Sequence, residues 1–400
     1  MGVAFIMNKN LRYFPNIIWL LMLLVVGCNT DQKRAVESNG NQKNQIISPE
    51  FAQWYSIEVY AEYKKLIIKD PWSEKDVLAE YYLVPRGHTP TIDSLAVKID
   101  VPVQKVVSLT SAYIGFLKEL GSLEVLSGIS DKSHVYSAQV HHQVDQGKTF
   151  EFGEEYNLQW ENLIQHNPDA LFVTAFPGRN PIEQYHNMGI NAVYLVGWQE
   201  KTPLARAEWI KVIGLFTGKE KEADFLFEKI KAEYKRLNNL TQGLPRPKVL
   251  DGFTFKNIWY LPGGQSYKAC FYKDAGSDYI YNDDPEYGDI IKDFETIIED
   301  GHQAPIWFYP RMSDRDIRTV MDEDQLQVFK AFRDQQIYYQ DARLNPEGGN
   351  EYWEKGPARP DLVLKDLISI FHPDILPEHK LYFFRNIFKE ERDHYYSSGK

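Results

Sequence analysis

The sequence predicts an α/β protein with two α/β lobes of mostly parallel sheet, joined by a long interlobe helix and preceded by an N-terminal β-ribbon. Three observations carry that expectation. Short apolar runs alternate with amphipathic stretches that often stop at glycine, the rhythm of a parallel sheet covered by helices. The rhythm occurs twice, once on each side of residues 203–240. Between Pro203 and Pro245 there is no proline, and apolar residues there recur at helical spacing.

The elements follow in order. Lys9 and Arg12 precede the apolar run Ile17–Val26, which ends at Gly27-Cys28. A positive flank, a short apolar core and a small residue before the cut predict a secretory signal over residues 1–28. The apolar run is too short to span a bilayer, which needs about 20 residues. Val25-Val26-Gly27-Cys28 resembles the bacterial lipobox, which implies acylation of Cys28 and a membrane anchor. Residues 29–50 are rich in Asn, Gln, Lys and Ser and read as a flexible tether. Over 51–100 the alternation of Tyr55, Ile57 and Val59, and of Tyr81 and Leu83, predicts antiparallel strands, with Pro71, Pro85 and Pro90 in their loops.

The N-terminal lobe is expected over 101–202. Its strands are Val106–Leu109, Val125–Ile129, Ala170–Thr174 and Ala192–Val196. Its helices are Tyr113–Leu120, Leu158–Gln165 and Ile182–Met188. The interlobe helix occupies 203–240, with Gly214 and Gly218 as a candidate break; about 24 continuous residues would span about 36 Å. The C-terminal lobe covers 241–400. Its expected strands are Lys248–Asp251, Ile258–Tyr260, Ile306–Tyr309 and Gln336–Tyr339. Its expected helices are Tyr267–Ala275, Phe294–Ile298, Leu326–Ala331 and Leu362–Ile370.

Composition narrows the function. The chain has 400 residues, 43% hydrophobic and 25% charged, with a formal charge of −11. It is globular, and too acidic to favour nucleic acid. Two cysteines, Cys28 and Cys270, cannot build a disulfide framework, a zinc finger or an iron–sulfur cluster. Gly-x-Ser-x-Gly, His-Glu-x-x-His and the nucleotide glycine fingerprint are missing, so no enzyme and no cofactor are expected. Carboxylates are plentiful, which keeps a surface hydrolase with carboxylate catalysis as an alternative. His134, His141 and His142 offer metal- or haem-ligating side chains, but without regular ligand spacing a polar loop is the expected role, and no metal site is assigned.

The two halves carry parallel units. Asn157-Leu158-Gln159-Trp160-Glu161 leads through Asn167-Pro168-Asp169 into the strand beginning at Ala170. Asp293-Phe294-Glu295-Thr296 leads through Gly301-His302-Gln303 into the strand beginning at Ile306. With Val106–Leu120, the stretch Pro203–Leu237 and Arg359-Pro360-Asp361 before Leu362–Ile370 and His372-Pro373, these units resemble the class III periplasmic-type substrate-binding proteins of ABC importers. The resemblance covers roughly residues 100–390. It implies capture of a ferric siderophore, haem or cobalamin between the lobes, and delivery to a permease dimer with its ATPase on the periplasmic side of the envelope. It also implies that Glu161 and Glu295 dock on permease arginines, although His302-Gln303 stands where the first lobe has Pro-Asp.

Ligands of such sheets sit beyond the carboxyl ends of the strands. The residues expected there are Tyr113, Phe176, Arg179 and Trp198 in the first lobe. In the second they are Trp259, Tyr260, Ser266 and Tyr267, with Gly263-Gly264 letting the backbone approach a ligand, and Arg343, Tyr352 and Trp353 on a long loop over 341–353.

Overall fold

The computed structural model describes residues 43–389, apart from 74–75, 94–95, 178–181, 257 and 311–320. The export signal with Cys28, most of the tether, and Arg179 lie outside the described residues.

An N-terminal sheet runs β1 (Lys43–Ile47), β2 (Tyr55–Tyr60), β3 (Lys64–Lys69), β4 (Val77–Pro85) and β5 (Val97–Val101), in that order across the sheet. The first three pairings are antiparallel, and β4–β5 is parallel. Two expectations are corrected. The ribbon is a five-stranded mixed sheet, and β1 lies in the segment read as a tether. Every residue of β1 is exposed, so its sequence has no buried face to betray it; backbone pairing with β2 recruits it, with a Lys43–Glu58 ion pair at 2.8 Å. The sheet buries Tyr55, Ile57, Leu66, Ile68, Tyr81 and Leu83 in the same apolar core as the first lobe.

The first lobe contains β6 (Val106–Ser108), β7 (Leu126–Ile129), β8 (Phe150–Glu151), β9 (Ala170–Val173) and β10 (Ala192–Tyr194), ordered β10-β9-β6-β7-β8 and parallel throughout. β6, β9 and β10 are buried at every position, as continuous apolar runs in a covered parallel sheet should be. The helices are α1 (Ser111–Glu119), α2 (Ala138–Asp145), α3 (Trp160–His166) and α4 (Ile182–Asn187). His141 and His142 therefore sit on α2, not in a loop. Asp169 closes the turn into β9. Its carboxylate accepts the Gln104 and Lys105 amides at 2.5 and 3.0 Å and pairs with Arg86 at 2.7 Å, tying the N-terminal sheet to the lobe. The Tyr81 hydroxyl accepts the amide of Tyr194 on the edge strand β10 at 2.8 Å.

The long central helix is corrected to three: α5 (Pro203–Ala207), α6 (Ile210–Thr217) and α7 (Glu220–Leu240). Gly218, at φ +68°, ends α6 in a left-handed cap. Gly214 lets α7 pack close, since a Cβ there would meet the Ala223 Cβ at 2.7 Å. α7 has 21 residues, a span of about 32 Å. It buries Ala223 and Phe227 in the first core and Tyr234 and Leu237 in the second, so it does bridge the lobes.

The second lobe has β11 (Lys248–Asp251), β12 (Phe253–Phe255), β13 (Ile258–Pro262), α8 (Tyr267–Asp274), β14 (Asp278–Tyr279), β15 (Asp289–Asp293), α9 (Phe294–Gly301), β16 (Ile306–Phe308), β17 (Ile337–Tyr339) and β18 (Arg385–Asn386). The main sheet is ordered β14-β11-β16-β17-β18 and is parallel except for β17–β18. β13 is not part of it. It is the centre of a separate antiparallel sheet, β12-β13-β15. The helix expected at Leu326–Ala331 is two short ones, Glu323–Gln327 and Lys330–Arg333.

The lobes meet along a seam. The Glu354 carboxylate accepts the Tyr136 and Ser137 amides at 2.7 and 3.2 Å, and the Asn345 amide donates to the Val135 carbonyl at 2.8 Å. Glu119 pairs with Arg359 at 3.3 Å and Lys355 at 3.6 Å. At Gly115 the backbones touch: a Cβ there would lie 1.8 Å from the Glu354 carbonyl oxygen. Gly115→Ala is therefore expected to lower the unfolding free energy by about 1–3 kcal/mol, as overpacking does. Gly288→Ala, with nothing within 4 Å of its Cβ, is the control. Urea midpoints for the two variants check this; equal midpoints would refute the tight seam.

Candidate ligand-binding site

In the first lobe the strand order reverses between β6 and β9, and the crevice beyond their carboxyl ends is the default ligand position. A cavity of about 810 Å³ opens there. Leu109 and Thr110 follow β6, and Thr174 and Phe176 follow β9. Trp160 at the start of α3 and the exposed Tyr156 before it complete the wall. The volume suits a ligand larger than an amino acid or a sugar monomer, and the lining is mainly apolar with a few polar groups. Among the lining side chains, Glu154 and Glu155 carry charge.

Beside the cavity, Phe176 and Trp198 lie with ring centroids 5.4 Å apart, 45% and 37% exposed respectively. Trp198 follows β10 on a single turn of 3₁₀ helix, Gly197–Gln199. The next residues enter the region between the lobes. Arg206 on α5 lays its guanidinium 3.6 Å from the ring centre of Tyr267, at the start of α8 in the second lobe, and its Nε donates to the Glu200 carbonyl at 3.1 Å. No carboxylate among the described residues lies within ion-pair distance of it. Tyr113 and Tyr352 lie within electrostatic reach of the same guanidinium. Burial pushes the Tyr267 hydroxyl up to about 12, so it remains a neutral donor.

The expected residues separate into two groups. Phe176 and Trp198 come together at the cavity, and Tyr267 lies partly exposed beneath Arg206. Trp353 is 50% exposed beside Tyr352. Several others are corrected. Trp259 is fully buried, stacked 5.3 Å from Trp307, with its indole N–H donating to the Asp251 carbonyl; it is core because β13 turns that face inward. Tyr260, on the opposite face, stacks on Phe253. Ser266 caps α8 by accepting the Ala269 amide. Tyr113 is buried, and its hydroxyl accepts the Gly197 amide at 3.1 Å. Tyr352 is buried against Phe383 and Phe384.

Arg343 pairs with Glu351 at 3.4 Å and stacks on Tyr382, so its charge is already answered. Gly263 and Gly264 admit the chain's own backbone: a Cβ on them would meet the Glu286 and Tyr281 carbonyl oxygens at 2.4 and 2.3 Å. The loop over 341–353 ends in the helix Glu351–Lys355 and belongs to the seam. His141 bonds the Val135 carbonyl at 2.7 Å, His142 meets Gln146 at 2.7 Å and His134 meets Glu154 at 2.9 Å. Among the described residues, no three His, Cys, Asp or Glu side chains are grouped to hold a metal ion.

Glu161 and Glu295 are both exposed in the first turns of their helices, α3 and α9, on separate lobes.

Trp160, Tyr156 and Arg206 were not read as site residues from the sequence. Trp160 stands inside the very motif that signalled the lobe. Arg206 has no local signal, because the Tyr267 ring that covers it belongs to α8, remote in sequence.

Glu200 and Glu208 hold the site from behind. Glu208 is fully buried and accepts the amides of Glu50, Phe51 and Ala52 at 2.8, 2.7 and 2.9 Å. Glu200 accepts those of Gln53 and Trp54 and the Trp209 indole at 3.0 to 3.1 Å.

A family profile matches more than half of the chain, and solved structures share its fold. The profile of the periplasmic binding proteins matches residues 106–344. An uncharacterized lipoprotein of Methanocaldococcus jannaschii is 28% identical over 298 residues, 72% of this chain and 69% of its own length. CeuE of Helicobacter pylori, in a Ni–His complex, superposes with a TM-score of 0.55 at 18% identity, over 78% of this chain and 90% of CeuE. A periplasmic haem-binding protein of Pseudomonas aeruginosa superposes with a TM-score of 0.51 at 18% identity, over 68% and 94%.

Burial, foremost, pushes the Glu200 carboxyl up to about 7, against the pull of its hydrogen bonds and with repulsion from Glu208 added. That lies above the ordinary 4.5, so the folded state holds a proton that the unfolded state has released. The group's stabilisation is complete below about pH 4.5 and is lost as pH rises through about 7. Glu200→Gln is expected to flatten the stability profile over that window, read as urea midpoints; an unchanged slope would refute it.

Proposed function

The chain belongs to the periplasmic binding protein family, the solute-binding components of ABC importers, and from that premise we propose that it is a lipid-anchored receptor for an iron complex, a ferric siderophore by first choice. The cavity of about 810 Å³ at the β6/β9 crevice carries the reading. It has the size of a site for a whole organic complex, and its wall combines the apolar surfaces of Leu109, Tyr156, Trp160 and Phe176 with the polar side chains of Thr110, Glu154, Glu155, Thr174 and Gln184. Arg206 is not part of the cavity wall; it lies between the lobes against Tyr267, without a carboxylate partner among the described residues, and in this reading it would answer an anionic group that reaches beyond the cavity. The Ni–His complex of CeuE and the haem of the Pseudomonas protein are metals already held by organic donors, which supports cargo of that kind. Cobalamin or haem would fill the same role. The family is one of solute binders, so the surface-hydrolase alternative has no support from it.

Glu161 and Glu295 are the docking residues in this reading. Two exposed acids, one per lobe, match a two-fold permease presenting basic pockets, and such pairs set register and encounter rate more than affinity. Acylation at Cys28 places the receptor outside the cytoplasmic membrane at high local concentration near the permease. The lipoprotein relative supports that location.

Calorimetric titration of the full chain in detergent with ferric siderophores, haemin and cyanocobalamin tests the reading. Saturable binding of one, at micromolar affinity or tighter, is expected; a folded chain that binds none refutes it. The double variant Glu161→Ala/Glu295→Ala is expected to abolish uptake in cells while leaving that affinity unchanged, and uptake at the wild-type rate would refute docking through these residues. Cys28→Ala is expected to move the protein from the membrane to the soluble fraction; retention at the membrane would refute the anchor.

A further inference from the structure

The N-terminal sheet lies outside the residues that the family profile matches, 106–344. It nevertheless delivers a side chain to the aromatic pair beside the cavity. Trp72, in the turn between β3 and β4, is 37% exposed and lies with its ring centroid 6.4 Å from that of Trp198. Trp198 lies 5.4 Å from Phe176, which is part of the cavity wall. Three partly exposed aromatic rings from three separate segments thus form one continuous shelf. Single exposed aromatics are ordinary on a protein surface, whereas contiguous ones mark a contact.

Trp72 is held in place by a hydrogen-bonded chain. Asp70 accepts the Trp72 amide at 2.8 Å. One residue back, the Lys69 amide donates to the Trp54 carbonyl at 2.9 Å. Trp54 in turn gives its own amide to Glu200 and its indole N–H to the Gln199 carbonyl. Gln199 is the neighbour of Trp198. The turn that presents Trp72 and the turn that presents Trp198 are therefore fastened to each other through the buried Glu200, and the spacing of the two indoles is set by backbone contacts.

We propose that the N-terminal sheet is part of the ligand site, and that Trp72 extends the aromatic wall of Trp198 and Phe176 to select a metal chelate with a planar aromatic face. This rests on the receptor reading above. The shelf is continuous with the cavity through Phe176, so the cavity's ligand is its occupant. Its rings are uncharged and tilted to one another by 52° and 47°, so they favour a chelate with aromatic groups over an aliphatic one. The shared chemistry is a flat π system, which a catecholate chelate or a tetrapyrrole would bring; a hydroxamate chelate without rings lacks it.

The test titrates the full chain in detergent by calorimetry with ferric enterobactin, haemin and ferrioxamine B. Wild type, Trp72→Ala and Trp72→Phe are compared, with circular dichroism to confirm folding. Loss of one aromatic contact weakens binding by about 3- to 10-fold. Trp72→Ala is expected to weaken the catecholate or the tetrapyrrole, whichever the wild type binds, by that factor, and Trp72→Phe to restore most of it. Wild-type binding of an aromatic chelate that Trp72→Ala leaves unchanged overturns the shelf alone, as does a wild type that binds ferrioxamine B only. A wild type that binds none of the three and no cyanocobalamin overturns the receptor reading, and the shelf with it.

Discussion

Two buried carboxylates organise this molecule. Glu200 and Glu208, eight residues apart around α5, accept consecutive backbone amides from Glu50 to Trp54. Buried carboxyls persist where partners replace the lost water: backbone amides serve both, the Trp209 indole serves Glu200, and Lys211 pairs with Glu208 at 3.2 Å. The N-terminal sheet begins at this clamp, packs Tyr55 on Trp209 and shares the first lobe's core. The same clamp fixes the 197–206 segment, which carries Trp198 on one side and Arg206 on the other. The Asp169–Arg86 pair and the Tyr81–Tyr194 bond add further ties between the sheet and the lobe.

The second constraint is the seam between the lobes. α7 alone would allow the lobes to pivot about its ends. The backbone contact at Gly115, the Glu354 carboxylate on the Tyr136 and Ser137 amides, and the Glu119 ion pairs add fixed points away from that axis. A wide hinge closure would strip buried polar groups of their partners, so small rocking of otherwise rigid lobes is the motion this geometry permits. In the receptor reading, recognition relies on side chains already in place, and the clamp anchors Trp198 beside Phe176 of the cavity wall.

Sequence patterns located the sheets well where strands are buried on both faces. β6, β9 and β10 are unbroken apolar runs, and their helices stop at glycines that the structure finds at positive φ, such as Gly121 and Gly189. They failed where pairing depends on distant chain. β1 has no apolar face, and β12 and β15 are stabilised by β13 rather than by their own alternation. The aromatic residues misled in a consistent way. The sequence places Trp259 and Tyr352 beside a ligand, yet Trp259 lies within β13 and Tyr352 within the helix Glu351–Lys355, and both are buried by elements remote in sequence. Arg343 illustrates the same point for charge: its partner Glu351 is close in sequence, but the Tyr382 ring that covers it is not.

The sequence alone determined the α/β class, the two-lobe plan and the exposure of Glu161 and Glu295, because these follow from local periodicity and from acids in helix first turns. Tertiary structure decided which aromatic and basic groups face a ligand. Burial of a side chain after a strand depends on what packs over it, and that neighbour is contributed by another lobe or by the N-terminal sheet. Trp72 and Arg206 acquire their positions only when residues 50–54 close on Glu200 and Glu208 and α8 comes to rest beside α5.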